Sequence, residues 1–367
     1  MDIFDAMVGA GHERVLVCSN PEAGLRAIIA IHSTRLGPGL GGVRMWPYAS
    51  TEEALTDALR LSRGMTYKAA AAGLHLGGAK AVIVGDSKRA RTEELLRAFG
   101  RCVESLGGHY ITAEDVGTDA ADMEMIGSET RWVTGLPVDR GGSGDPSPVT
   151  ARGVHQGMRA VAARLWGTPS LAGRSIAVQG LGSVGGYLTR SLVEEGAKVF
   201  ACDIDADAVE AARSELGVEI VPPAEIYDVA CDVFAPCALG AVLNEKTIPR
   251  LRARAVAGAA NNQLAEEERD GLELHRRGVL YAPDFLINAG GLINVYNELI
   301  GYHRERALRM ADGIHAATLR VFELAERERL PTFRAAERLA EERLAAVGRL
   351  GPRHWERPAR ERLSARA

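Results

Sequence analysis

Ser175-Ile176-Ala177-Val178-Gln179-Gly180-Leu181-Gly182-Ser183-Val184-Gly185 is a short apolar run that passes directly into the pattern G-x-G-x-x-G. The run reads as a buried strand. The residues that follow carry Tyr187, Leu188, Leu192 and Val193 at helical spacing. The next apolar stretch, Lys198 to Asp203, closes on an acid 18 residues after Gly185. Strand, glycine turn, helix, strand and acid in that order form the dinucleotide fingerprint of a Rossmann-type fold. Gly180, Gly182 and Gly185, with Leu181, Ser183 and Val184 between them, are expected to bring backbone against a pyrophosphate at the helix N-terminus. Asp203 can accept hydrogen bonds from ribose hydroxyls and would repel a 2′-phosphate. Ile204-Asp205-Ala206-Asp207 supplies no Arg or Lys to bind one. NAD is therefore favoured over NADP.

Outward from this motif, further strands are expected at Val218–Val221, Asp232–Ala235, Arg254–Ala257 and Val279–Tyr281, with helices filling most of the gaps. Such alternation argues for a parallel sheet. A helix over about Thr150 to Leu165 precedes it. Upstream, Asp139-Arg-Gly-Gly-Ser-Gly-Asp-Pro-Ser-Pro148 is the strongest linker signal in the chain. The N-terminal part mixes strands (Arg14–Ser19, Leu25–His32, Gly39–Trp46, Lys80–Val84, His109–Thr112) with two helices. Ser50 and Glu53 predict a capping box for the first, running to about Met65 or beyond. Gly73 to Gly78 reads as a loop. Leu95, Leu96, Phe99, Cys102, Val103 and Leu106 mark the second helix. After Leu286 the pattern is helical to the end. The last stretch, Arg349 to Ala367, has six arginines against Glu356 and Glu361 and reads as a solvated tail or docking helix. The expected architecture is α/β in two domains with a deep cleft between them: a substrate domain over residues 1–138, a Rossmann NAD-binding domain over 146–335, and C-terminal helices, 336–367, packing back towards the first.

Composition removes other classes. Hydrophobic residues are 46% and charged residues 25% of the 367, enough apolar content for sizeable cores. The 44 Lys+Arg against 48 Asp+Glu give no electrostatic case for nucleic acid. Five cysteines, without a CxxC pair or Cys/His cluster, argue against disulfides and structural zinc. No metal site is expected. Asp2 and Asp5 stand where a signal peptide needs positive charge, and no apolar run approaches a membrane span. A soluble cytoplasmic protein is expected.

A dinucleotide fold implies hydride transfer without naming the substrate. Lys68, in Met65-Thr66-Tyr67-Lys68, and Lys80, in Gly77-Gly78-Ala79-Lys80, lie in apolar, Gly/Ala-rich settings. Desolvation and a nearby second cation push a lysine pKa down and make it a usable base. An oxo or amino acid also needs a cation for its carboxylate. Two lysines and one acid, Asp115, would suit a site that handles a carboxylate and an amine together. Lysines are mostly surface residues, and spacing alone does not set that reading aside.

Leu74-His75-Leu76-Gly77-Gly78-Ala79-Lys80-Ala81-Val82-Ile83-Val84-Gly85-Asp86 resembles the active-site signature of the glutamate/leucine/phenylalanine/valine dehydrogenase superfamily. Gly41-Gly42-Val43-Arg44, Met65-Thr66-Tyr67-Lys68, Ala113-Glu114-Asp115-Val116-Gly117-Thr118, Pro236-Cys237-Ala238-Leu239-Gly240, Ala259-Ala260-Asn261-Asn262-Gln263 and Asn288-Ala289-Gly290-Gly291 resemble its leucine dehydrogenase branch, in the right order. The resemblance implies NAD-dependent reversible oxidative deamination of an L-amino acid to its 2-oxo acid and ammonium. It implies that Lys80 is the general base, Asp115 handles the amine proton, and Lys68 binds the substrate carboxylate. Met65 belongs to the same substrate motif, and Gly41 and Gly42 bring backbone close to the substrate. Asn262 and Asn288 contact substrate or the nicotinamide ribose, Thr150 supports the carboxamide, and Ala238 and Ala260 line the cofactor path. A homo-oligomer, often an octamer, is also implied.

For the side-chain pocket the resemblance is split. Leu40, Ala113, Leu292 and Val295 are expected to line it, all apolar. Ala113 looks like the leucine-type branch, whereas Leu292 is commoner in aromatic-specific relatives. Tyr296 and Asn297 look closer to a tryptophan-type relative. Branched-chain substrates are the leading expectation, with phenylalanine or tryptophan as the rival. A catalytically idle NAD-binding regulator is disfavoured by the retained Lys68, Lys80 and Asp115. His75, Cys237 and Tyr67 are read as non-catalytic.

Overall fold

The computed structural model describes residues 2–349. Among these, one compact unit takes the residues up to Gly144, then Val295–His303, then those from Ala340. A second takes Asp145–Asn294 and Arg304–Leu339. The first break, Gly144/Asp145, falls inside the Gly/Pro-rich stretch that reads as a linker. The helices Gly290–Leu299 and Thr332–Gly348 each run across a later boundary. The Arg-rich stretch from residue 350 onward lies outside the described residues.

The first unit is built on a five-stranded mixed sheet. Its strands are β1 (Arg14–Asn20), β2 (Leu25–Ser33), β3 (Gly39–Trp46), β4 (Gly77–Val84) and β5 (Tyr110–Glu114), in the order β1-β2-β4-β3-β5. β1 and β2 run antiparallel to their neighbours, while β4, β3 and β5 are mutually parallel. β2 is apolar on both faces because both are covered. Ile28, Ala30 and Val82 pack with Ala54, Leu55, Ala58 and Leu59 of the helix Thr51–Ala71. Ile29, Ile31, Val43, Ala79, Ala81 and Ile83 pack with Leu95, Phe99 and Val103 of the helix Glu93–Ser105 on the other side.

The helix Thr51–Ala71 runs beyond Met65, as the pattern allows, so both Met65 and Lys68 are helical. Ser50 caps it by accepting from Glu53 N at 3.1 Å. The reciprocal half of the expected capping box differs: Glu53 Oε2 accepts from Ala49 N, one residue before the cap. At the other end Arg343 spreads a guanidinium fork over the carbonyls of Ala70, in the last turn, and Gly73, just past the helix, both at 2.9 Å. β4 starts at Gly77, so the loop expected over Gly73–Gly78 gives its last two residues to the strand. The reason is close approach. A Cβ on Gly78 would lie 2.1 Å from Thr66 N, so only glycine lets the strand pass beneath the helix there.

The second unit carries an all-parallel sheet: β6 (Ser175–Gln179), β7 (Lys198–Cys202), β8 (Glu219–Ile220), β9 (Val233–Pro236), β10 (Ala255–Val256) and β11 (Leu280–Tyr281). The order is β11-β10-β9-β6-β7-β8. From β6 the chain winds outward to β7 and β8, then returns to β9 and winds the other way. The reversal leaves a switch point at the carboxyl ends of β6 and β9, where ligands bind in open parallel sheets. The expected strand to Asp203 ends one residue earlier, at Cys202, and the helix expected from Thr150 starts at Ser147.

Gly78→Ala should destabilise the first unit by about 1–3 kcal/mol, from overpacking against a backbone nitrogen. Gly64→Ala, an exposed mid-helix position with nothing within 4 Å of its Cβ site, should instead stabilise it by about 0.5–1 kcal/mol. Urea midpoints of the two variants would check the opposite signs.

Candidate active site

Side chains alternate along a strand, so register alone assembles the site. Leu40 lies opposite Gly78 and Ile111, Gly42 opposite Ala113, and Ala30 opposite Lys80. Leu40, Gly42 and Arg44, then Gly78, Lys80 and Val82, then Ile111, Ala113 and the following Asp115 therefore share one face. It is the face covered by the helix bearing Met65 and Lys68, which are both half-buried. Gly42 is a tight point on this face: a Cβ there would meet Glu114 O at 2.4 Å and Asp115 Cβ at 2.8 Å. A Cβ on Gly41 would meet Ala79 O at 1.7 Å, and the Gly41 carbonyl accepts from Tyr110 Oη at 2.9 Å. Both glycines thus have a packing role inside the sheet.

Lys80 is not a surface lysine: it is 5% exposed. Its Nζ lies 3.0 Å from Asp115 Oδ1. The other carboxylate oxygen, Oδ2, accepts from Arg44 Nε at 2.9 Å. Burial is the largest influence on Lys80 and pulls its pKa down; the Asp115 charge opposes this and the Arg44 cation adds to it, leaving a net lowering. Burial pushes Asp115 up, but Lys80 and Arg44 outweigh it and hold the carboxylate below its usual range. A depressed lysine beside a fixed carboxylate suits proton transfer. The second cation in the neighbourhood is Arg44. It sits in the quoted glycine motif, and the alternation of β3 was the signal that could have placed it beside Lys80.

Arg44 also donates through Nη1 to Asp57 Oδ2 at 2.9 Å, and Tyr48 Oη donates to the same oxygen at 2.6 Å. Neither Asp57 nor Tyr48 stands out in the sequence. His75 is exposed. Tyr67 donates to Glu341 Oε1 at 3.0 Å.

In the second unit the glycines divide their work. Gly180 has φ of 103°, a left-handed value, and a Cβ there would meet Ala238 at 2.9 Å. Ala238 thus stands at the switch point, opposite the glycine turn. Gly182 caps the helix Ser183–Glu194 with no side-chain hydrogen bond and has nothing within 4 Å of its Cβ site. Gly185 would place a Cβ 2.0 Å from Gly180 O and 3.3 Å from Cys237 Cβ, so it serves close helix packing. Burial raises the Cys237 thiol to about 12, in keeping with a packing role. Leu181 and Ser183 flank the open position, and Val184 is half-buried.

Asp203 Oδ2 accepts from Leu181 N at 2.5 Å and Oδ1 from Asp205 N at 2.9 Å. Burial raises its pKa, but these donors and Ile204 N outweigh it, so the group is an ionised acceptor. A carboxylate has about four lone-pair sites, which leaves capacity for a ribose diol. Asn288 is buried, and its Nδ2 donates to Ala259 O at 3.1 Å and Asn261 Oδ1 at 2.9 Å. Its Oδ1 is buried without a partner. Thr150 Oγ1 spends its hydrogen on Pro146 O at 3.0 Å, keeping lone pairs for an amide donor. Ala260 is buried, and Asn262 is exposed at φ of 50°, its carbonyl accepting from Ala241 N. An open glycine position, an uncapped helix terminus, an ionised acceptor and an orphaned amide oxygen fit a dinucleotide. Leu292 is buried on the helix Gly290–Leu299, within the second unit. Val295 follows on the same helix in the segment grouped with the first. No group of His, Cys, Asp and Glu able to hold a metal occurs among the described residues.

A Rossmann-type NAD-binding unit, in one chain with a buried lysine–carboxylate centre, defines a nicotinamide-dependent dehydrogenase. Two family models match. Residues 12–132 match "Glu/Leu/Phe/Val dehydrogenase, dimerisation domain", and 141–209 with 204–348 match "Glutamate/Leucine/Phenylalanine/Valine dehydrogenase". The chain belongs to this Glu/Leu/Phe/Val amino-acid dehydrogenase family. It is 55% identical over 344 residues to the leucine dehydrogenase of Thermoactinomyces intermedius, covering 94% of each chain. It is 49% identical over 344 residues to the phenylalanine dehydrogenase of Caldalkalibacillus thermarum, covering 92% of this chain and 93% of that one. The crystal structure of L-tryptophan dehydrogenase from Nostoc punctiforme matches with a TM-score of 0.86 at 46% identity, over 94% of this chain and 99% of that chain.

Lys80→Ala should remove most turnover while leaving NADH affinity, measured by fluorescence titration, nearly unchanged. In the unsubstituted protein, kcat for amino-acid oxidation should climb with pH as Lys80 loses its proton. The midpoint should lie below that of an ordinary lysine, because the pKa is lowered. A flat profile from about pH 7 to 10 would remove Lys80 as the base. Asp203→Ser should narrow the preference for NAD over NADP, read as the ratio of kcat/KM for the two cofactors.

Proposed function

We propose that the chain catalyses reversible oxidative deamination of branched-chain L-amino acids to 2-oxo acids and ammonium, with NAD as the cofactor. The observation that carries this reading is the apolar lining beside Lys80 and Asp115, where buried Leu40 and Ala113 share their face of the sheet. A glutamate γ-carboxylate buried there would lack a partner and would carry a large desolvation penalty. The leucine dehydrogenases among the similar proteins support the same substrate class.

Each residue then has a task. Lys68 holds the substrate α-carboxylate as a charge-assisted pair. Lys80, neutral, takes a proton from the water that attacks the α-carbon after oxidation. Asp115, ionised, accepts a hydrogen bond from the substrate amine, can take up the proton the amine sheds and can return it to the nitrogen as ammonia leaves. Backbone at Gly41 and Gly42 and the side chains of Met65, Leu40, Ala113, Leu292 and Val295 orient the substrate. When bound, NAD would supply the hydride acceptor for the α-carbon. Gly180 to Gly185, Asp203, Thr150, Ala238, Ala260, Asn262 and Asn288 hold it in place. Lys68→Ala should therefore raise KM for the amino acid more than it lowers kcat.

Aromatic substrates are the second reading, favoured by Leu292 and by the similarity to phenylalanine and tryptophan dehydrogenases. A homo-oligomer, an octamer by resemblance, in the cytoplasm completes the proposal. No helix among the described residues is long and apolar enough to cross a membrane.

The test is NADH formation at alkaline pH with leucine, valine, isoleucine, phenylalanine, tryptophan and glutamate. The aliphatic substrates should lead, with partial discrimination among them, since one methylene is worth only about 1–3 kcal/mol. Ala113→Gly should shift kcat/KM towards phenylalanine. Preference for an aromatic substrate over every aliphatic one would promote the second reading. Turnover of oxo acids without ammonium would indicate a hydroxyacid dehydrogenase.

A further inference from the structure

Asp115 is not held by Lys80 alone. Arg44 ties one of its oxygens, and Arg44 is itself tied from behind. Its Nη1 is anchored on Asp57 Oδ2, and that oxygen also receives Tyr48 Oη. Asp57 Oδ1 takes Arg60 Nη2 at 3.3 Å. The guanidinium is thus a rigid spacer between a carboxylate on the helix Thr51–Ala71 and the carboxylate beside Lys80. A planar fork with donors on both Nε and Nη1 can do this, whereas an ammonium on a flexible stem cannot hold both at fixed angles. The Arg44 side chain is 23% exposed, that of Asp115 22% and that of Asp57 14%, so the chain of charges is only partly screened.

We propose that Arg44, anchored by Asp57 and Tyr48, is a positioning residue that fixes the orientation of Asp115 and sets the proton affinity of Lys80. This rests on the reading of Lys80 as the base. Arg44 need not touch the substrate. It locks Asp115 so that one oxygen faces Lys80, and it places a positive charge close to that lysine. Asp57 acts on Lys80 with the opposite sign.

The groups around Lys80 are few. From β5 comes Asp115, from β3 Arg44, and from the covering helix Asp57. The helix also carries Lys68 in its last turn. On β2 the residues of that face are Arg26, exposed at the start of the strand, then Ile28 and Ala30, both uncharged. The next, His32, is buried, with burial the main cause of a pKa lowered to about 4. Its Nε2 lies 3.0 Å from Ala10 O and its Nδ1 2.8 Å from Thr66 Oγ1, so it stays neutral across the working range.

Opposite signs make the test selective. Arg44→Gln removes a cation near Lys80, so the rising limb of the kcat–pH profile should move to higher pH. kcat near neutrality should fall by about tenfold or more, with partial recovery at high pH. Asp57→Asn removes an anion, so the limb should move to lower pH. Arg44→Lys should keep the limb close to the wild-type position while kcat falls, because the charge stays and the fork geometry is lost. Tyr48→Phe should give a small kcat loss with no limb shift. KM for NAD should be unchanged throughout, and thermal midpoints identify any variant that fails to fold. A folded Arg44→Gln protein with wild-type kcat and profile overturns the proposal. So does a fall in kcat with no limb shift, or limbs moving the same way in Arg44→Gln and Asp57→Asn. Lys80→Ala run in parallel separates the two levels: substantial turnover there would sink the reading of the base itself.

Discussion

An ammonium taken out of water must be paired, neutralised or both, and much of the first unit is arranged around that requirement at Lys80. Isolated, a buried charge would cost several kcal/mol. Asp115 compensates part of that cost, yet a simple ion pair would leave the lysine protonated and useless as a base. Arg44 shares the carboxylate by claiming its second oxygen, and its charge works against protonation of the lysine. The outcome is a carboxylate kept ionised and a lysine kept easy to deprotonate, two opposite demands met by three side chains. The glycines of β3 and β4 follow from the same need. They bring the strands and the covering helix close together around the side chains of Lys80 and Arg44.

The second unit meets a different demand, binding a dianionic cofactor without a cationic side chain in the turn. Its means are backbone donors at an uncapped helix terminus and a glycine with empty space beside it. Asp203 then does two jobs. It ties down the turn through Leu181 N, and it stays ionised because those same donors favour its charged form. The fixing of the loop and the readiness of the acceptor have one cause.

Much of this was legible in the residues. Strand positions in both sheets could be read because β2, β6 and β9 are short β-branched runs bounded by turn residues, and the glycine fingerprint announced its own geometry. The helix Thr51–Ala71 is legible to Met65 and beyond, but helical propensity does not reveal that Thr66 is pinned against Gly78. Lys80 was recognisable as chemistry by resemblance, but its burial was not. Burial of a lysine is decided by the neighbouring strands, not by the local run. Arg44 was in plain view yet unassigned, since its importance lies in register: position 44 shares a face with position 80 only once β3 lies parallel to β4. Asp57 and Tyr48 have no local signature and emerge only when helix and strand are brought together.

The Arg343 fork on the carbonyls of Ala70 and Gly73 has a temporal meaning. The helix that presents Lys68 is completed by a residue made some 270 positions later in the chain, alongside Ala340 and Leu344 packing on Leu36 and Ala70. During synthesis the first unit therefore emerges from the ribosome with an unfinished helix end and an open apolar patch. It cannot close before the helix Thr332–Gly348 has been made. A chain released early would keep its NAD fingerprint and every proposed catalytic side chain and still lack the latch. Synthesis of the helix Thr332–Gly348 is in this way built into the assembly of the first unit.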